Sequence, residues 1–428
     1  MPARRLVALY LGTAHVSLAC AFFLTAWNPF AVAGFFYHAR IIAIVHLVTI
    51  GWIALSILGM AYVVLPLACG VALPVRRGDY VAYSLVVIGL VGMVSHFWIG
   101  EFGGMAWSAA TAALGIMHVV ARAGVAMRQA RVAPAVKLHL YFATANLAGA
   151  VSMGVLLGFD KAYPFLPGYV LSNVFAHAHL AAVGWVLMTV MGLGYRLVPM
   201  VLPSAMPLGR SLYASALLLE AGVAGLFLSL TMRSSLTLVF ALFIVAAFLC
   251  FAAHVLWMVA RPRRPPHHRT HTDFAVHHLC AAGACLLLAC VCGITLTVVS
   301  TSEATMRVAL LYGVLGLLGG LAQAIVGFER RLLPMAASCW DLQDGGDVPP
   351  VPRRPVVTAP TFLMWLVGVP LVAAGFFVNG AAVLSSGAWL LFAASLLMWL
   401  DVFLLLSPRQ RQRAGALRRR PAQSRIAD

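Results

Sequence analysis

Three stretches of the sequence share one pattern, and this pattern decides the fold. Residues 46–66 read HLVTIGWIALSILGMAYVVLP, residues 179–199 read HLAAVGWVLMTVMGLGYRLVP, and residues 314–334 read VLGLLGGLAQAIVGFERRLLP. Each stretch carries glycine at its sixth and fourteenth positions and ends in proline. Because the stretches lie about 134 residues apart, we predict an internal repeat.

The matching positions differ in how many copies share them. All three copies have Gly51, Gly184 and Gly319, then Gly59, Gly192 and Gly327, then Pro66, Pro199 and Pro334. Only the first two copies share an opening histidine (His46, His179), a tryptophan (Trp52, Trp185) and a tyrosine (Tyr62, Tyr195). The third copy therefore lacks the polar and aromatic residues of the other two.

The composition places the chain in a membrane. Of its 428 residues, 62% are hydrophobic and 10% are charged, whereas soluble domains have about 45–50% and about 25%. A soluble protein of this size could not bury so much apolar surface. The composition also excludes a disordered chain, a disulfide scaffold and a collagen-like fibre. We expect a polytopic membrane protein.

The repeat predicts units of four helices. A span needs about 20 mostly apolar residues, and the first apolar run is too long for a signal peptide, so we interpret it as span 1. The twelve predicted spans are 6–27, 41–66, 80–99, 103–126, 136–158, 170–201, 210–231, 235–260, 274–300, 305–334, 357–378 and 383–407, with a tight turn near Gly100 and Glu101. The fold class is thus all-α, with units at 1–132, 133–265 and 266–408 and a basic disordered tail at 409–428. Three units of four helices disfavour the six-plus-six plan of major-facilitator transporters.

The charge distribution predicts the orientation. The chain has 29 lysines and arginines against 12 aspartates and glutamates, a formal charge of +17. With the N-terminus inside, 25 of the 29 basic residues fall on the cytoplasmic side. This matches the positive-inside rule, so we expect both termini to be cytoplasmic. The charge then needs no nucleic-acid partner, and the expected partner is the lipid bilayer.

A group of histidines is predicted in the outer part of the membrane: His38, His46, His96, His177 and His179. His46 and His179 occupy equivalent repeat positions, and neutral imidazole is a common axial ligand of haem b. We therefore predict that both bind haem or a metal, with His96 as a further candidate ligand. A hydrogen bond to a neighbouring helix is the alternative role for such a histidine.

Other residues are candidates around the same site. Trp52 and Trp185 could line a macrocycle or simply pack in the core, and Arg40 could pair with haem propionates or extend to the interface. His177 and His179 point about 200° apart on a helix, so one site is not expected to use both. We favour His179 as the inward ligand and leave His177 for a second metal or the interface.

Buried acids and thiols give further candidates. Glu220 and Asp401 lie within predicted spans, where a carboxyl group could relay protons or bond a neighbouring helix. Cys290 and Cys292 could bind copper, although small buried thiols are the favoured interpretation. The sequence contains no Cys-x-x-Cys-His motif, which excludes covalently attached haem c.

Three features resemble subunit I of the haem–copper oxidases. They are the helix plan, the position of His46 after YHARIIAIV, and the stretch NVFAHAHLAAVGWVLMTVMGLGYRLVPM. The similarity is closest to the C-type oxidase and nitric oxide reductase branch. It covers nearly all spans as architecture, but residue motifs only in spans 2 and 6. The resemblance implies that His46 binds the low-spin haem and that His179 or His177 binds copper or non-haem iron. It also implies a bacterial cytoplasmic membrane and a redox partner protein or quinol on the outer side.

The remaining family ligands are missing. Span 7 has no histidine, and span 10 has Tyr312, Gly313 and Val314 where the family has a His-x-His motif. Oxygen reduction by the family mechanism is therefore not expected. We expect a haem b protein, with copper as a possible second cofactor, that acts in electron transfer or in haem, copper or nitric oxide handling. The alternative is a non-redox transporter or assembly factor on the same scaffold.

Overall fold

The computed structural model of the chain describes residues 3–32, 38–263, 273–343 and 355–406. Within these residues, twelve helices are long and apolar enough to cross a membrane. They are α1 (Ala3–Trp27), α2 (Ala39–Cys69), α3 (Arg77–Ile99), α4 (Phe102–Met127), α5 (Pro134–Ala162), α6 (Val170–Val201), α7 (Ser211–Thr231), α8 (Thr237–Val259), α9 (Phe274–Val298), α10 (Glu303–Trp340), α11 (Val356–Phe377) and α12 (Ala381–Leu406). The prediction of an all-helical, multi-pass membrane protein is confirmed, and each predicted span falls on one helix. The predicted tail at 409–428 lies outside the described residues.

A tight turn joins α3 to α4, as the sequence predicts. Gly100 has a φ of +78°, a left-handed conformation that glycine adopts without strain. The Glu101 side chain then caps α4 by accepting hydrogen bonds from the amides of Gly103 (3.0 Å) and Gly104 (2.7 Å). These bonds satisfy amide groups that the first turn of a helix leaves without partners.

The first and last helices are antiparallel neighbours. Nη2 of Arg4 donates to the carbonyl oxygen of Leu406 (3.0 Å) at one end, and Oγ of Ser385 donates to that of Ala26 (2.7 Å) at the other. We call the end of the bundle that contains Arg4 and Leu406 the terminal face, and the opposite end the distal face.

The even-numbered central helices end at the terminal face. Nε of Arg196, on α6, donates to the carbonyl oxygen of Ala68 at the end of α2 (3.0 Å). Nη2 of Arg331, on α10, donates to that of Val201 at the end of α6 (3.3 Å). The three helices α2, α6 and α10 contact one another. Within the described residues, the other nine helices form a ring around them, in which each contacts the next in chain order and α12 contacts α1.

Each of the three central helices contains a π-helical segment. The segments are Leu47–Ala54, Leu180–Leu187 and Val314–Ala322. A π-helix bonds residue i to residue i+5; such segments are rare and are often found at functional sites. His46 and His179 immediately precede the first two segments, so the predicted ligands lie where the backbone departs from α-helical geometry.

The shared glycines of the π-segments lie against a neighbouring helix. A Cβ atom added to Gly51 would lie 2.6 Å from Cβ of Ser17. One added to Gly184 would lie 2.9 Å from Cγ of Asn146, and one added to Gly319 would lie 2.7 Å from Sγ of Cys285. These neighbours belong to α1, α5 and α9, the helices that precede α2, α6 and α10 in the chain. Close helix approach is therefore the physical reason for glycine at this position in all three copies.

Candidate functional site

His46 lies on α2 and His177 on α6, two of the central helices, which contact each other. Nδ1 of His46 donates to the carbonyl oxygen of Ile42 (2.7 Å), and Phe97 stacks on the ring with centroids 5.5 Å apart. Because Nδ1 carries the proton, the lone pair of neutral His46 is on Nε2, which has no hydrogen-bond partner among the described residues. This is the usual second-shell arrangement of a metal-binding histidine.

The His177 ring packs against α5. An added Cβ at Gly154 would lie 3.0 Å from Cε1 of His177, so the ring rests directly on the α5 backbone. Within the described part of the chain, Nδ1 of His177 is buried and has no hydrogen-bond partner. A buried imidazole nitrogen without a partner is unfavourable unless a ligand engages it. His46 and His177 together therefore offer two nitrogen donors from different helices.

His179 faces another neighbour, α10. Its Nδ1 donates to the carbonyl oxygen of Phe175 (2.7 Å), and its Nε2 lies 3.0 Å from the hydroxyl oxygen of Tyr312. The two rings stack with centroids 5.8 Å apart. Since the Tyr312 hydroxyl donates to Nε2, both ring nitrogens of His179 have partners. The predicted assignment of His179 as the inward ligand stays a prediction.

The other predicted ligands at the distal face have local partners. The Arg40 guanidinium lies over the Trp98 ring, 5.6 Å from its centroid. Nε2 of His96 is 3.5 Å from a carboxylate oxygen of Glu101. This places Arg40 and His96 beside the end of α3, where each pairs with a residue that the sequence analysis did not consider as a partner.

The two predicted tryptophans are core residues. Trp52 is fully buried, and its indole ring makes an edge contact with His15 of α1 at a centroid distance of 4.8 Å. Trp185 is 8% exposed. Both lie inside π-segments, so their side chains fill space at the centre of the bundle. The structure thus shows both tryptophans packed in the core, the alternative to lining a macrocycle.

The Asn146 side chain links Glu220 of α7 to the second π-segment by two hydrogen bonds. Nδ2 of Asn146 donates to a carboxylate oxygen of Glu220 (2.7 Å) and to the carbonyl oxygen of Gly184 (3.1 Å). The π-helical hydrogen-bond pattern leaves this carbonyl available to a side chain. Glu220 thus makes the interhelical hydrogen bond that the sequence analysis weighed as the alternative to a proton relay.

A second cluster of charged groups lies toward the terminal face. Nε2 of His15 is 3.5 Å from a carboxylate oxygen of Glu329, and Nη1 of Arg330 is 3.8 Å from one of Asp401. These side chains come from α1, α10 and α12 and are at most 14% exposed. Of these four residues, only Asp401 is a predicted site residue, and Arg330 falls near the cytoplasmic end of the predicted span 305–334. The acid–base pair Glu329-Arg330, two residues after the shared Gly327, is the sequence signal that could have revealed the cluster.

The first two repeat copies also have polar groups at this depth. Asp79 of α3 accepts hydrogen bonds from Arg122 and from the Arg76 amide (2.6 Å), and lies 3.3 Å from Nε2 of His118. In the second copy, hydrogen bonds of 2.9–3.1 Å link the side chains of His139, Ser215, Tyr195 and His254. In the Glu329 cluster, Nε2 of His15, both carboxylate oxygens of Glu329 and the guanidinium nitrogens of Arg330 are buried without hydrogen-bond partners in the described chain.

The donor set fits haem better than a metal held by side chains alone. Among the described residues, no group of three or more His, Cys, Asp or Glu side chains is placed to hold a metal ion. Copper or non-haem iron needs about three or four such ligands. Haem iron needs only one or two axial ligands from the protein. The pair His46 and His177 meets that smaller requirement.

Neither the family models nor the curated proteins that were searched contain a match to this chain. The resemblance to the haem–copper oxidases rests on the residues quoted from α2 and α6 and stays a prediction.

Proposed function

We propose that the protein is a haem-binding membrane protein in which His46 and His177 would hold the iron of a b-type haem in the distal half of the bundle. The observation that carries the proposal is a pair of open imidazole nitrogens, Nε2 of His46 and the buried Nδ1 of His177, on two central helices that contact each other. His179 is the alternative α6 ligand, and in that case the Tyr312 hydroxyl would have to leave its Nε2.

The chain's own residues define what this site does. The Ile42 carbonyl fixes the tautomer of His46, and Phe97 fixes the plane of its ring. Arg40, above Trp98, is the cation available for carboxylate groups at the distal face. A bound haem with two histidine ligands supplies a one-electron couple. The proposed role is therefore electron transfer, with haem, copper or nitric oxide handling as related roles, and not oxygen reduction.

The architecture that supports this site is three units of four helices. The three π-segments, the glycine contacts with α1, α5 and α9, and the central position of α2, α6 and α10 all support this arrangement. The arrangement is that of the haem–copper oxidase resemblance, which also implies a bacterial cytoplasmic membrane and a redox partner or quinol.

The first prediction concerns the haem spectrum. Protein purified after expression with added haem should show a Soret band, and His46→Ala and His177→Ala should each remove or shift it because each removes an axial ligand. His38→Ala is the matched control, since this exposed histidine lies at the start of α2 and only caps it. Absorption spectra of all four proteins measure the effect.

The outcomes separate the assignments. A colourless wild-type protein contradicts haem binding altogether. A spectrum that changes in His179→Ala but not in His177→Ala moves the α6 ligand to His179. An unchanged spectrum in His46→Ala removes α2 from the site.

A second candidate function is a non-redox transporter. The observation that favours it is the buried cluster of His15, Glu329, Arg330 and Asp401, since charged groups within a membrane bundle often mark transport pathways. A colourless protein that retains the folded state of the wild type favours this candidate over haem binding.

A further inference from the structure

The cluster near the terminal face lines a small, partly open cavity. The cavity has a volume of about 20 Å³ and is lined by His15, Glu329, Arg330, Asp401 and apolar residues of α10 and α12. A site that holds one water molecule needs about 10–15 Å³ and two to four polar partners. The cavity therefore has room for one water molecule beside these four polar side chains.

The contact between His15 and Glu329 requires a proton. Nδ1 of His15 lies 2.8 Å from the carbonyl oxygen of Leu11, which can only accept, so Nδ1 carries a hydrogen. In neutral His15, Nε2 is then an acceptor, and it faces a carboxylate oxygen of Glu329 at 3.5 Å. Two acceptors at this distance repel each other. A proton on either atom converts the contact into a hydrogen bond.

The burial of Glu329 leads to the same conclusion. The side chains of His15 and Glu329 are 0% and 5% exposed, so water cannot effectively screen a negative charge on the Glu329 carboxylate. A proton on this pair removes or balances that charge, which is favourable for a carboxyl group inside a membrane bundle.

The other groups that face the cluster do not replace this proton. His278 of α9 interacts electrostatically with Arg330, and its Nδ1 is 3.4 Å from the side-chain nitrogen of Gln323, so it is oriented by an amide. Trp52 of α2 contributes only an uncharged ring edge to His15. Asp401 approaches the guanidinium of Arg330. His15 and Glu329 are therefore the pair between which a proton is shared.

The cavity lies close to the terminal face. Asp401 is five residues before the end of α12 at Leu406, a distance of about 7.5 Å along the helix. Leu405, the residue before that end, also lines the cavity. Asp401 is thus the polar group on the side of the cavity from which a proton can enter.

We propose that this cavity is a binding site for one exchangeable proton, held between His15 and Glu329 and exchanged with the terminal face past Asp401. The proton forms a bond to Nε2 of His15 or to a carboxylate oxygen of Glu329, and it returns to water when the site deprotonates. No oxidant or second substrate is involved. The site is independent of haem binding, because none of its residues is a proposed haem ligand.

The test is infrared spectroscopy of the purified full-length protein as the pH is changed. The wild type should show a carboxylic acid or imidazolium band that shifts in heavy water and disappears at alkaline pH. Glu329→Gln and His15→Gln should each lose this band, because the proton needs both partners. Glu303→Gln is the matched control on the same helix, since Glu303 is 82% exposed and pairs with Arg307; it should keep the band.

Further measurements keep the proposal falsifiable. Glu329→Asp retains a carboxyl group and should restore the band if Glu329→Gln does not fold. A band that persists in both Glu329→Gln and His15→Gln overturns the proposal. A titration whose midpoint moves with sodium chloride but not with choline chloride also overturns it, because the site would then bind a metal cation instead.

Discussion

At the scale of single residues, equivalent positions in the repeat predict similar backbone geometry but not the neighbours that each side chain contacts. His46 and His179 are equivalent in sequence, and each lies directly before a π-segment. Their stacking partners differ, because Phe97 of α3 stacks on His46 and Tyr312 of α10 stacks on His179. The repeat therefore predicts that the two histidines are alike, but not that they meet. The contact between α2, which carries His46, and α6, which carries His177, depends on helix packing, and the residue spacing within one helix does not specify it.

Asp79 carries a prediction at this scale. Its side chain is fully buried and accepts a hydrogen bond from Arg122, whose side chain is 15% exposed. Asp79→Ala should lower the free energy of unfolding by about 3 kcal/mol, because it leaves a largely buried guanidinium without its carboxylate. The midpoint of thermal unfolding in detergent measures the loss.

An exposed ion pair provides the control for Asp79. Glu303→Ala removes the pair with Arg307 at the distal end of α10, where solvent screens both charges. This variant should unfold at the wild-type temperature, because exposed pairs contribute little. Equal losses in the two variants would show that burial of the Asp79 pair has no energetic consequence.

At the scale of helices, the sequence predicts the positions of the spans well and their internal geometry poorly. Apolar length and charge define all twelve helices of the described chain, and the Gly100-Glu101 turn is correctly predicted. The π-segments are not predicted, because glycine and large apolar residues are compatible with both α- and π-helices. The Glu329 cluster is missed for a related reason. Arg330 lies four residues before the end of the predicted span 305–334, where a charge is expected to reach the cytoplasmic surface, yet α10 continues to Trp340 and the Arg330 side chain is 8% exposed.

The second shared glycine tests the helix packing. An added Cβ at Gly59 would lie 2.5 Å from Cβ of Tyr10, a core residue of α1 that cannot rotate away from the contact. Gly59→Ala should therefore cost about 1–3 kcal/mol of stability through overpacking. Thermal unfolding of the purified variant measures the cost.

Gly283 of α9 is the matched control. An added Cβ there has no atom of the described structure within 4 Å. Gly283→Ala should leave stability unchanged or raise it slightly, because alanine is the better helix former. If Gly59→Ala were as stable as Gly283→Ala, the close approach of α1 and α2 would not be a constraint on sequence.

At the scale of the whole molecule, the placement of basic residues predicts the orientation in the membrane. Arg4, Arg196 and Arg331 all bond to helix ends at the terminal face. The positive-inside rule assigns such a face to the cytoplasm. Both chain ends and the α4–α5 turn should then be cytoplasmic, and the α9–α10 turn should lie on the other side.

Site-directed labelling measures this orientation. A cysteine introduced at Ser300, in the α9–α10 turn, should react with a membrane-impermeant reagent added to intact cells. A cysteine introduced at Gln129, in the α4–α5 turn, should react only after the cells are opened. Labelling of both positions from the same side would contradict the alternating arrangement of the helices.

The hydrogen bonds that join α1 to α12 at both ends have a consequence for the connectivity of the chain. The outer helices form a closed ring in the described structure, in which α12 packs on α1 as other neighbouring helices pack on each other. The chain could therefore begin and end at another turn between two helices without loss of these contacts. A circular permutant that links Leu406 to Ala3 and opens the chain at the turn before Pro134 would keep every helix contact. The helix contacts thus define a cyclic order of the helices, and the position of the N-terminus defines only which helix comes first.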